Sequence, residues 1–500
     1  MIDARPAWRS TGSHRIVWRR APSRQLDQLD IRRAASHVVP VAFHQEVHVS
    51  GVSKAGAAGR EADDPSGAEG ARATQPVEAG GEGRLSRRVL IGGAAGVAAG
   101  ALVAALPRAA TGQGGATGGA AMRATPLASP PPASLLGAPT SAQGGRAASV
   151  NPSRVPVGQV TGSSRSPLGQ LTGTITPSDL HFERHHAGVP ALDASTHRLV
   201  IHGLVERPME FSVDEIRRLP QVTRVHFIEC SGNGRAPFKS PKPDTTAQAA
   251  AGMSSNTEWT GVPLATLFRE VGVKPEATWF LAEGADACHL TRSVPVEKAW
   301  DDALIVWAQN GEPLRPAQGY PLRLLLPGWE GNINVKWLRR LELGTQPWMT
   351  RWETSVYTDP ILGDKARQFS FVLDVKSVIT TPSYPDVIAE HGWRPITGLA
   401  WSGRGRVTRV EVSTDGGTNW HEAQLTGTPQ PKAHVRFQYM WNWQGEAVTL
   451  LSRATDETGQ TQPTRTELIA VRGPGTDYHF TAIVGWKVQA DGATFYHGET

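Results

Sequence analysis

A cysteine at the start of a glycine-containing loop is the residue of this sequence best suited to reactive chemistry. Residues 222–229 are rich in β-forming side chains and lead directly into Cys230-Ser-Gly-Asn-Gly-Arg235. Gly232 and Gly234 supply the backbone freedom that a close approach to a bound group requires. The pattern therefore predicts a strand that presents Cys230 in a tight loop, as a candidate metal ligand or nucleophile.

Local sequence leaves two interpretations of this thiol open. Arg235 follows five residues after Cys230 and would lower the pKa of the thiol if its guanidinium folded back over the loop. The thiolate is the form that binds metals and attacks substrates, so such a contact would favour reactive chemistry. A buried structural cysteine, or half of a disulfide with Cys288, is the alternative.

Three histidines fall close together in the segment Leu180-His-Phe-Glu-Arg-His-His186. An apparent strand follows at residues 197–202. The cluster could suggest zinc, but no acidic or thiolate partner stands at ligand spacing nearby. We therefore expect these side chains to form hydrogen bonds with an anionic cofactor.

The elements that must position these motifs are predicted to form an α+β domain with mixed, irregular sheets. A short helix is expected between Phe211 and Pro220, and an amphipathic helix is expected to end at Val271. Residues 241–255 are predicted to be a long loop. Strands are expected at residues 279–282, 303–308 and 321–326, with the Asn310-Gly311 turn between the last two.

Beyond about residue 368 the pattern changes to short strands separated by turns. A strand at residues 407–413 runs into Asp415-Gly-Gly417, and residues 448–454 run into another turn. This spacing predicts a β-sandwich of immunoglobulin type without its disulfide. One strand carries an alternating apolar stripe, interpreted as sandwich core with a binding platform as the alternative: Val435, Phe437, Tyr439, Trp441 and Trp443.

Composition separates the N-terminal region from the rest of the chain. Residues 1–110 hold 15 Lys and Arg against 10 Asp and Glu, whereas the remaining 390 residues hold 36 of each. The basic character therefore belongs to the N-terminal region, and the neutral remainder offers no basic domain for nucleic acid. Two cysteines exclude a disulfide scaffold, and no Cys-x-x-Cys pair is present for zinc or an iron–sulfur cluster.

The N-terminal third of the chain is predicted to lack a packed core. Residues 1–84 are expected to be a disordered extension, with a start codon downstream of Met1 as one explanation of its length. Residues 85–110 contain Arg87 and Arg88 before a small apolar run, a pattern similar to a twin-arginine export signal; a short buried or membrane-anchoring helix is the alternative. Residues 111–170 are predicted to be a Gly/Pro/Ser-rich linker, with folded structure beginning near Leu171.

Taken in order, these motifs resemble the sulfite oxidase family of molybdenum enzymes over roughly residues 175–488. Cys230-Ser-Gly-Asn-Gly-Arg235 matches the family's molybdenum-ligating Cys-x-Gly-Asn loop. The resemblance is strongest to the branch that oxidises sulfane sulfur, through Pro316-Ala-Gln-Gly-Tyr-Pro321 and Pro327-Gly-Trp-Glu-Gly-Asn332. It implies a molybdopterin-binding domain at residues 171–365 and an immunoglobulin-like dimerisation domain at residues 366–490.

The resemblance also implies roles for individual residues. Cys230 would be the protein ligand of molybdenum, a soft thiolate beside the two sulfurs of the pterin. The residues expected to hold the molybdopterin are His185, His186, Asp286, Gln318, Arg323, Asn334, Val335 and Lys336. Those expected to act on the substrate are Tyr357, Arg184, Arg235, Arg406 and Trp259, and for any one of these arginines a surface ion pair is the alternative.

Two positions depart from the family pattern. His185 stands where the family's Arg-Asn-His segment has Asn, and Gln318 stands where the wider family has a cofactor-contacting His. Both departures fit a pocket that differs from that of sulfite oxidases. The position of Arg406, in the second predicted domain, implies that the pocket forms between the domains.

The implied reaction is oxygen-atom transfer from molybdenum to sulfane sulfur bound to a carrier protein, in the periplasm. The sequence contains no Cys-x-x-Cys-His, so no haem is expected in this chain and the resemblance implies a c-type cytochrome subunit as electron acceptor. It further implies a homodimer within a heterotetramer. No stable membrane span is expected, because the apolar run that ends at Leu106 is short and rich in Gly and Ala. The alternatives are a sulfite dehydrogenase, an oxidase that passes electrons to oxygen, and an exported two-domain binding protein.

Overall fold

The computed structural model describes residues 139–361 and 365–498. The predicted extension at residues 1–84, the export signal at residues 85–110 and the first part of the linker lie outside the described residues. The described residues from Arg154 onward belong to one compact unit. This unit contains two domains, the first rich in mixed sheets and the second a sandwich, which confirms the predicted fold class.

The first domain combines short strands with short helices. Its strands are β1 Val155–Gly158, β2 Gly162–Arg165, β3 Glu183–His185, β4 Arg198–Gly203, β5 Met209–Ser212, β6 Val222–Glu229, β7 Ser254–Pro263, β8 Trp279–Gly284, β9 Thr291–Pro295, β10 Leu304–Gln309, β11 Glu312–Pro313, β12 Arg323–Leu325, β13 Leu338–Gly344, β14 Asp359–Ile361 and β15 Lys365–Arg367. Its helices are α1 Val213–Arg217, α2 Arg235–Lys239, α3 Ala247–Ala251, α4 Leu264–Val271 and α5 Val296–Asp301.

Two five-stranded sheets form the body of the first domain. One has the order β5-β4-β13-β8-β9, in which β13 runs parallel to β4 and the other pairs are antiparallel. The other has the order β11-β10-β7-β6, with β12 also paired to β10. The largest apolar cluster includes Leu199, Ile201, Phe268 and Phe280, each with an exposed fraction of 0%. This core fixes the sheets whose ends and loops carry the site.

Helix α1 shows why the predicted helix forms where it does. Ser212 accepts a hydrogen bond from the backbone N–H of Glu215, and the Glu215 carboxylate accepts from the backbone N–H of Ser212. This reciprocal cap satisfies donors that the first turn leaves unpaired. By contrast, the predicted loop at residues 241–255 is wrong in part, because Thr246 caps helix α3 within it.

Folded structure begins earlier than the predicted Leu171. Strands β1 and β2 form an antiparallel hairpin, and β2 pairs with β3, with Ser163 opposite Arg184. The Thr161 hydroxyl donates to the main-chain oxygen of His186 at 2.7 Å. The end of the predicted linker is therefore part of the fold, and it supports the segment that carries Arg184, His185 and His186.

The second domain is a two-sheet sandwich. Its strands are β16 Lys376–Thr381, β17 Gly392–Trp401, β18 Val407–Ser413, β19 His421–Glu422, β20 Gln424–Thr426, β21 Val435–Trp443, β22 Val448–Asp456, β23 Gly485–Val488 and β24 Thr494–His497, with helix α6 Arg465–Arg472. The sheet orders are β16-β17-β21-β20 and β19-β18-β22-β23-β24. Four residues of the stripe on β21 are buried in the core between them and Tyr439 packs against it, so the core interpretation is confirmed.

After α6, residues 474–484 return to the first domain. The backbone N–H of His479 donates to the main-chain oxygen of Ser231 at 2.7 Å, and the rings of Phe480 and Phe238 lie 4.9 Å apart. The Tyr478 hydroxyl donates to the main-chain oxygen of Val356. Contacts of the second domain with the cysteine loop therefore come from its C-terminal part as well as from its first strands.

None of the helices within residues 139–361 and 365–498 has the length and apolar character needed to cross a membrane.

Candidate active site

Strand β6 places the cysteine. Side chains alternate along a strand, so Ile228 and Cys230 face one way while Phe227 and Glu229 face the other. Ile228 and Cys230 pack with the apolar cluster of Phe182 and neighbouring residues, and Phe227 packs with apolar residues of both domains. The strand thus delivers Cys230 to a cavity in the first domain.

This cavity gathers most of the residues predicted for the cofactor. Its atom-free volume is about 640 Å³, part of it open to solvent. The predicted residues that line it are Arg184, His185, His186, Cys230, Asp286, Gln318, Arg323, Asn334, Lys336 and Tyr357. They come from five separate parts of the first domain, which the sheets bring to one place.

Cys230 is a free thiol at the cavity wall. Burial raises the pKa of Cys230, while the positive charge of Arg184 opposes this rise. The cation that acts on the thiol is therefore Arg184, and the condition set for Arg235 is not met, because its guanidinium pairs with Asp477. Asn233 closes the loop, because its N–H donates to the Cys230 carbonyl at 2.9 Å and its side-chain oxygen accepts from the N–H of Met253 at 3.1 Å.

Three cations in the cavity lack an acidic partner. Arg323 donates to the main-chain oxygen of Gln318 at 3.1 Å, and Lys336 donates to the main-chain oxygens of Arg184 and Ala317, each at 3.1 Å. Within the described ranges, no carboxylate lies at salt-bridge distance from Arg184, Arg323 or Lys336. Burial lowers the pKa of Arg323 to about 9, and burial together with the charge of Arg323 lowers the pKa of Lys336 well below its usual range.

A polar relay holds Lys336 at the cavity wall. Its ammonium donates to Nδ1 of His185 at 2.8 Å, and Nε2 of His185 lies 2.8 Å from the Glu183 carboxylate. Glu183 in turn pairs with Arg154 at 3.1 Å. Burial lowers the pKa of His185, so the ring is neutral near pH 7 and its Nδ1 accepts from Lys336. The residue that departs from the family pattern is thus an anchor for Lys336.

Tyr357 and His186 form a second pair at the cavity. The Tyr357 hydroxyl and Nε2 of His186 are 2.6 Å apart. Burial and then the charge of Arg184 lower the pKa of His186 to about 4, and burial raises the pKa of Tyr357 well above its usual range. Both groups are therefore neutral near pH 7. The Arg292 guanidinium lies 4.9 Å from the centre of the Tyr357 ring and supports it from behind.

Four predicted site residues do not line the cavity. Arg235 pairs with Asp477 at 3.1 Å and Arg406 pairs with Glu457 at 2.9 Å, and both arginines are about half exposed. These contacts fit the surface ion pairs given as the alternative, and a role in substrate binding stays a prediction. The remaining two are Trp259 and Val335, both with exposed fractions of 0%.

Trp259 and Val335 lie in apolar cores behind the cavity. Trp259 donates its indole N–H to the main-chain oxygen of His226 at 3.0 Å, and the Arg323 guanidinium lies 5.4 Å from its ring centre. It therefore supports a cavity residue, and it does not line the cavity in which the substrate was expected to bind. Val335 belongs to the main core of the first domain, so its side chain stabilises the segment between Asn334 and Lys336.

Several cavity residues were not predicted. His181 and Asn332 line the cavity, as do Glu183, Leu290 and Trp337. The repeated histidines and the Gly-Asn pair at residues 331–332 were visible signals for the first two. Cys288 lies near the cavity without lining it, and its thiol donates to the Asp286 carboxylate at 2.8 Å. Burial and this carboxylate raise the pKa of Cys288 to about 12, so the thiol stays protonated, which fits a cysteine that does not ligate a metal.

The donor set of the cavity fits molybdopterin. It offers one thiol, three cations without acidic partners and, among the described residues, polar atoms without a partner: Arg323 Nε, His181 Nε2 and Asn332 Oδ1. An anionic pterin phosphate would compensate the cations, and the polar pterin would satisfy the unpaired atoms. Gly319 leaves room beside these polar atoms, because a Cβ at this position would lie 3.1 Å from the Lys336 side chain. The φ of Gly319 is +108°, a backbone conformation that favours glycine.

Comparisons with known proteins agree with this assignment. Residues 186–352 match the model of the oxidoreductase molybdopterin binding domain, and residues 367–485 match the Mo-co oxidoreductase dimerisation domain. The fold and site therefore define a molybdopterin oxidoreductase. The crystal structure of the sulfane dehydrogenase SoxCD from Paracoccus pantotrophus is similar at 44% identity and a TM-score of 0.70, over 73% of this chain and 96% of that chain.

Curated relatives include plant and algal nitrate reductases. Nitrate reductase [NADH] from Ulva prolifera is 33% identical over 327 residues, and that from Solanum lycopersicum is 33% identical over 328 residues. Each match covers 58% of this chain but only 38% and 36% of the relative, so the chain spans little more than a third of their length. The chain belongs to the sulfite oxidase family of molybdopterin oxidoreductases.

Proposed function

We propose that this chain is the molybdopterin subunit of a dehydrogenase that oxidises sulfane sulfur held on a carrier protein. The observation that carries the proposal is the cavity itself, where one thiol and three unpaired cations converge. The choice of sulfur as substrate is supported by the 44% identity to sulfane dehydrogenase SoxCD. The departures at His185 and Gln318 fit a pocket adapted to a substrate other than free sulfite.

Each cavity residue has a separate task in this proposal. Cys230 would ligate molybdenum, while Arg323 and Lys336 would hold the anionic pterin. Bound molybdopterin would supply oxygen-atom transfer to the substrate sulfur. Arg184 would attract the anionic product and stabilise negative charge as it develops, because its guanidinium has no carboxylate partner among the residues that the structure describes. The neutral Tyr357 hydroxyl would offer a hydrogen bond near the reacting sulfur.

The partners and the compartment are part of the same proposal. The match to the dimerisation domain supports a homodimer. The similarity to SoxCD supports a SoxD-like c-type cytochrome subunit as electron acceptor, and a sulfur-carrier protein would present the substrate. Arg87 and Arg88 would direct export to the periplasm by the twin-arginine route. Replacing both by Lys should retain folded protein in the cytoplasm, whereas deleting residues 2–80 should not; unchanged periplasmic amounts would contradict this.

The experiment that tests the function combines composition with turnover. The purified protein is analysed for molybdenum and pterin. It is then assayed against carrier-bound sulfane and free sulfite with a cytochrome c acceptor, and against nitrate with a reduced electron donor, because nitrate reduction transfers an oxygen atom in the opposite direction. We expect about one molybdenum per chain and the highest kcat/KM for carrier-bound sulfane. A preference for sulfite would assign a sulfite dehydrogenase instead, and absence of molybdenum from active protein would reject the proposal.

A further inference from the structure

Glu229, the residue immediately before Cys230, faces the second domain. It occupies the face of β6 opposite to Cys230, together with Phe227. Because adjacent side chains on a strand point to opposite sides, fixing Glu229 on one face fixes the direction of Cys230 on the other. The contacts of Glu229 therefore bear directly on the orientation of the thiol.

Two side chains of the second domain hold this carboxylate. Its Oε1 accepts from Lys376 Nζ at 3.0 Å, and its Oε2 accepts from the indole N–H of Trp401 at 2.6 Å. The exposed fractions of Glu229, Lys376 and Trp401 are 3%, 2% and 0%. With solvent excluded and both oxygens engaged, the carboxylate has one orientation available to it.

Lys376 and Trp401 are direct neighbours in their own sheet. Lys376 begins β16 and pairs in register with Trp401, the last residue of β17. Opposite residues of an antiparallel pair project to the same face, so both reach Glu229 together. The Trp401 ring also packs against Phe227, with ring centres 6.4 Å apart. The strand before the cysteine thus rests on strands β16 and β17, at one edge of the sandwich.

The network continues from Glu229 into the far end of the cysteine loop. Asn233 donates its side-chain N–H to Glu229 Oε1 at 2.8 Å and to the main-chain oxygen of Ala251 at 3.0 Å. The N–H of Asn233 also donates to the Cys230 carbonyl. Glu229 therefore connects both ends of the loop to the second domain.

We propose that Lys376 and Trp401 are positioning residues for the metal thiolate, acting through Glu229. The inference rests on the proposed function, in which Cys230 ligates molybdenum. A buried ion pair is by itself weak evidence for stability, since desolvation offsets its attraction. This pair is distinguished by its place directly behind the ligand and by the hydrogen bond that Glu229 accepts from Asn233 at the far end of the ligand's loop. The second domain thereby contributes to the geometry of a metal site that lies in the first.

The test uses the holoenzyme with Trp401→Phe, which removes one N–H and keeps an aromatic ring, and with Lys376→Met. X-ray absorption at the molybdenum edge reports the sulfur neighbours of the metal, and metal analysis after dialysis reports its release. We expect a disordered or lengthened molybdenum–thiolate contact and release about 10–100-fold faster, as for other residues behind metal ligands. The matched control is Lys298→Met, since Lys298 is 6% exposed and pairs with Asp302 at 2.6 Å.

A further variant keeps the test decisive where Lys376→Met fails to fold. The double variant Glu229→Gln with Lys376→Met leaves no unpaired buried charge, and the Gln oxygen can still accept from Trp401. The inference would be overturned if Trp401→Phe and the double variant both showed the same sulfur neighbours of molybdenum and the same rate of molybdenum release as wild type. Cys230→Ser serves as the reference for a lost thiolate. If Cys230→Ser matches wild type in sulfur neighbours and molybdenum release, the proposed function fails. If Cys230→Ser differs from wild type while the variants at Lys376 and Trp401 match it, only the inference fails.

Discussion

Arg292 and Arg323 are both buried in the first domain, yet their surroundings are opposite. Arg292 lies between Glu353 at 3.0 Å and Glu330 at 3.3 Å. Burial works to lower its pKa, but the two carboxylates raise it above the usual value. Arg323 donates instead to the oxygens of Gln318, and burial lowers its pKa to about 9. Arg292 has its counter-ions within the protein, whereas no carboxylate in the described part of the chain lies at salt-bridge distance from Arg323.

This difference separates charges that hold the fold from charges that hold a ligand. Burying an unpaired cation costs free energy, so it is retained where a bound anion offsets that cost. Arg323 and Lys336 line the cavity and belong to this second group. Arg292 does not line the cavity and connects two acidic side chains beneath Tyr357. The comparison therefore assigns ligand binding to Arg323 and scaffolding to Arg292.

The largest effect on activity is expected from the thiol of Cys230, the proposed molybdenum ligand. Cys230→Ser should abolish turnover, because a hydroxyl replaces the only thiol in the cavity lining. Cys288→Ala is the matched control and should retain activity, since that thiol only donates to Asp286. Steady-state turnover and molybdenum content per chain give the measurement. Equal losses from the two substitutions, or a disulfide between the two cysteines found by peptide mapping, would contradict the assignment.

Removing the paired arginine should destabilise the protein whether or not the cofactor is bound. Arg292→Met removes the cation that two buried glutamates share, which we expect to cost about 3–5 kcal/mol in the free energy of unfolding. Urea denaturation of cofactor-free protein measures the loss. Should the variant prove as stable as wild type, Arg292 is not the scaffolding residue that the comparison makes it.

Removing the unpaired arginine should act in the opposite way. Arg323→Met relieves a buried cation, so the free energy of unfolding of cofactor-free protein should stay level or rise. Retention of the pterin cofactor should fall by about 10–100-fold, since a charged hydrogen-bond donor to an anion is lost. Denaturation and cofactor analysis on the same preparations separate the two effects. A large loss of stability without a change in retention would break the distinction between the two arginines.

The smallest effect concerns a buried group kept neutral, His434. Burial lowers its pKa from the ordinary 6.5 to about 3, and its ring lies 2.8 Å from the Ser254 hydroxyl. Below pH 6.5 the unfolded chain binds a proton that the folded chain excludes, so stability falls with pH down to about 3. The slope is about 1.4 kcal/mol per pH unit for one proton.

His434→Gln should therefore make the stability of the protein less dependent on pH between 5 and 6.5. Urea unfolding at several pH values measures the slope, and the exposed His421→Gln is the control that should leave it unchanged. An unaltered slope in His434→Gln would show that other histidines, such as the buried His181 and the half-buried His226, account for the acid sensitivity.

Sequence predicted the features that depend on neighbouring residues. Strand β6 and the loop after it follow from β-forming residues and two glycines, and the core stripe on β21 follows from strict alternation. Helix α3 was missed although Thr246 and the alanines after it carried a signal. The β1–β2 hairpin was missed because Pro156 interrupts the short valine pattern of β1 and β2 is only Gly-Ser-Ser-Arg, although β2 pairs with β3.

Features that depend on long-range pairing could not be predicted. Arg235 follows Cys230 closely in sequence, but it begins helix α2 and pairs with Asp477. Arg292 meets carboxylates 38 and 61 residues away, and spacing alone gives no indication of such a match. The distinction between paired and unpaired cations is therefore a property of the fold, although every residue concerned is visible in the sequence.

The return of residues 474–484 to the first domain bears on how such a protein can evolve. Ser231 accepts a hydrogen bond from His479, and Phe480 packs on Phe238, so the end of the second domain completes the surroundings of the first. A recombination event that exchanged the sandwich alone would import a foreign segment against the cysteine loop. We expect the two domains to be inherited as one unit, with additional modules in longer relatives joined outside this pair.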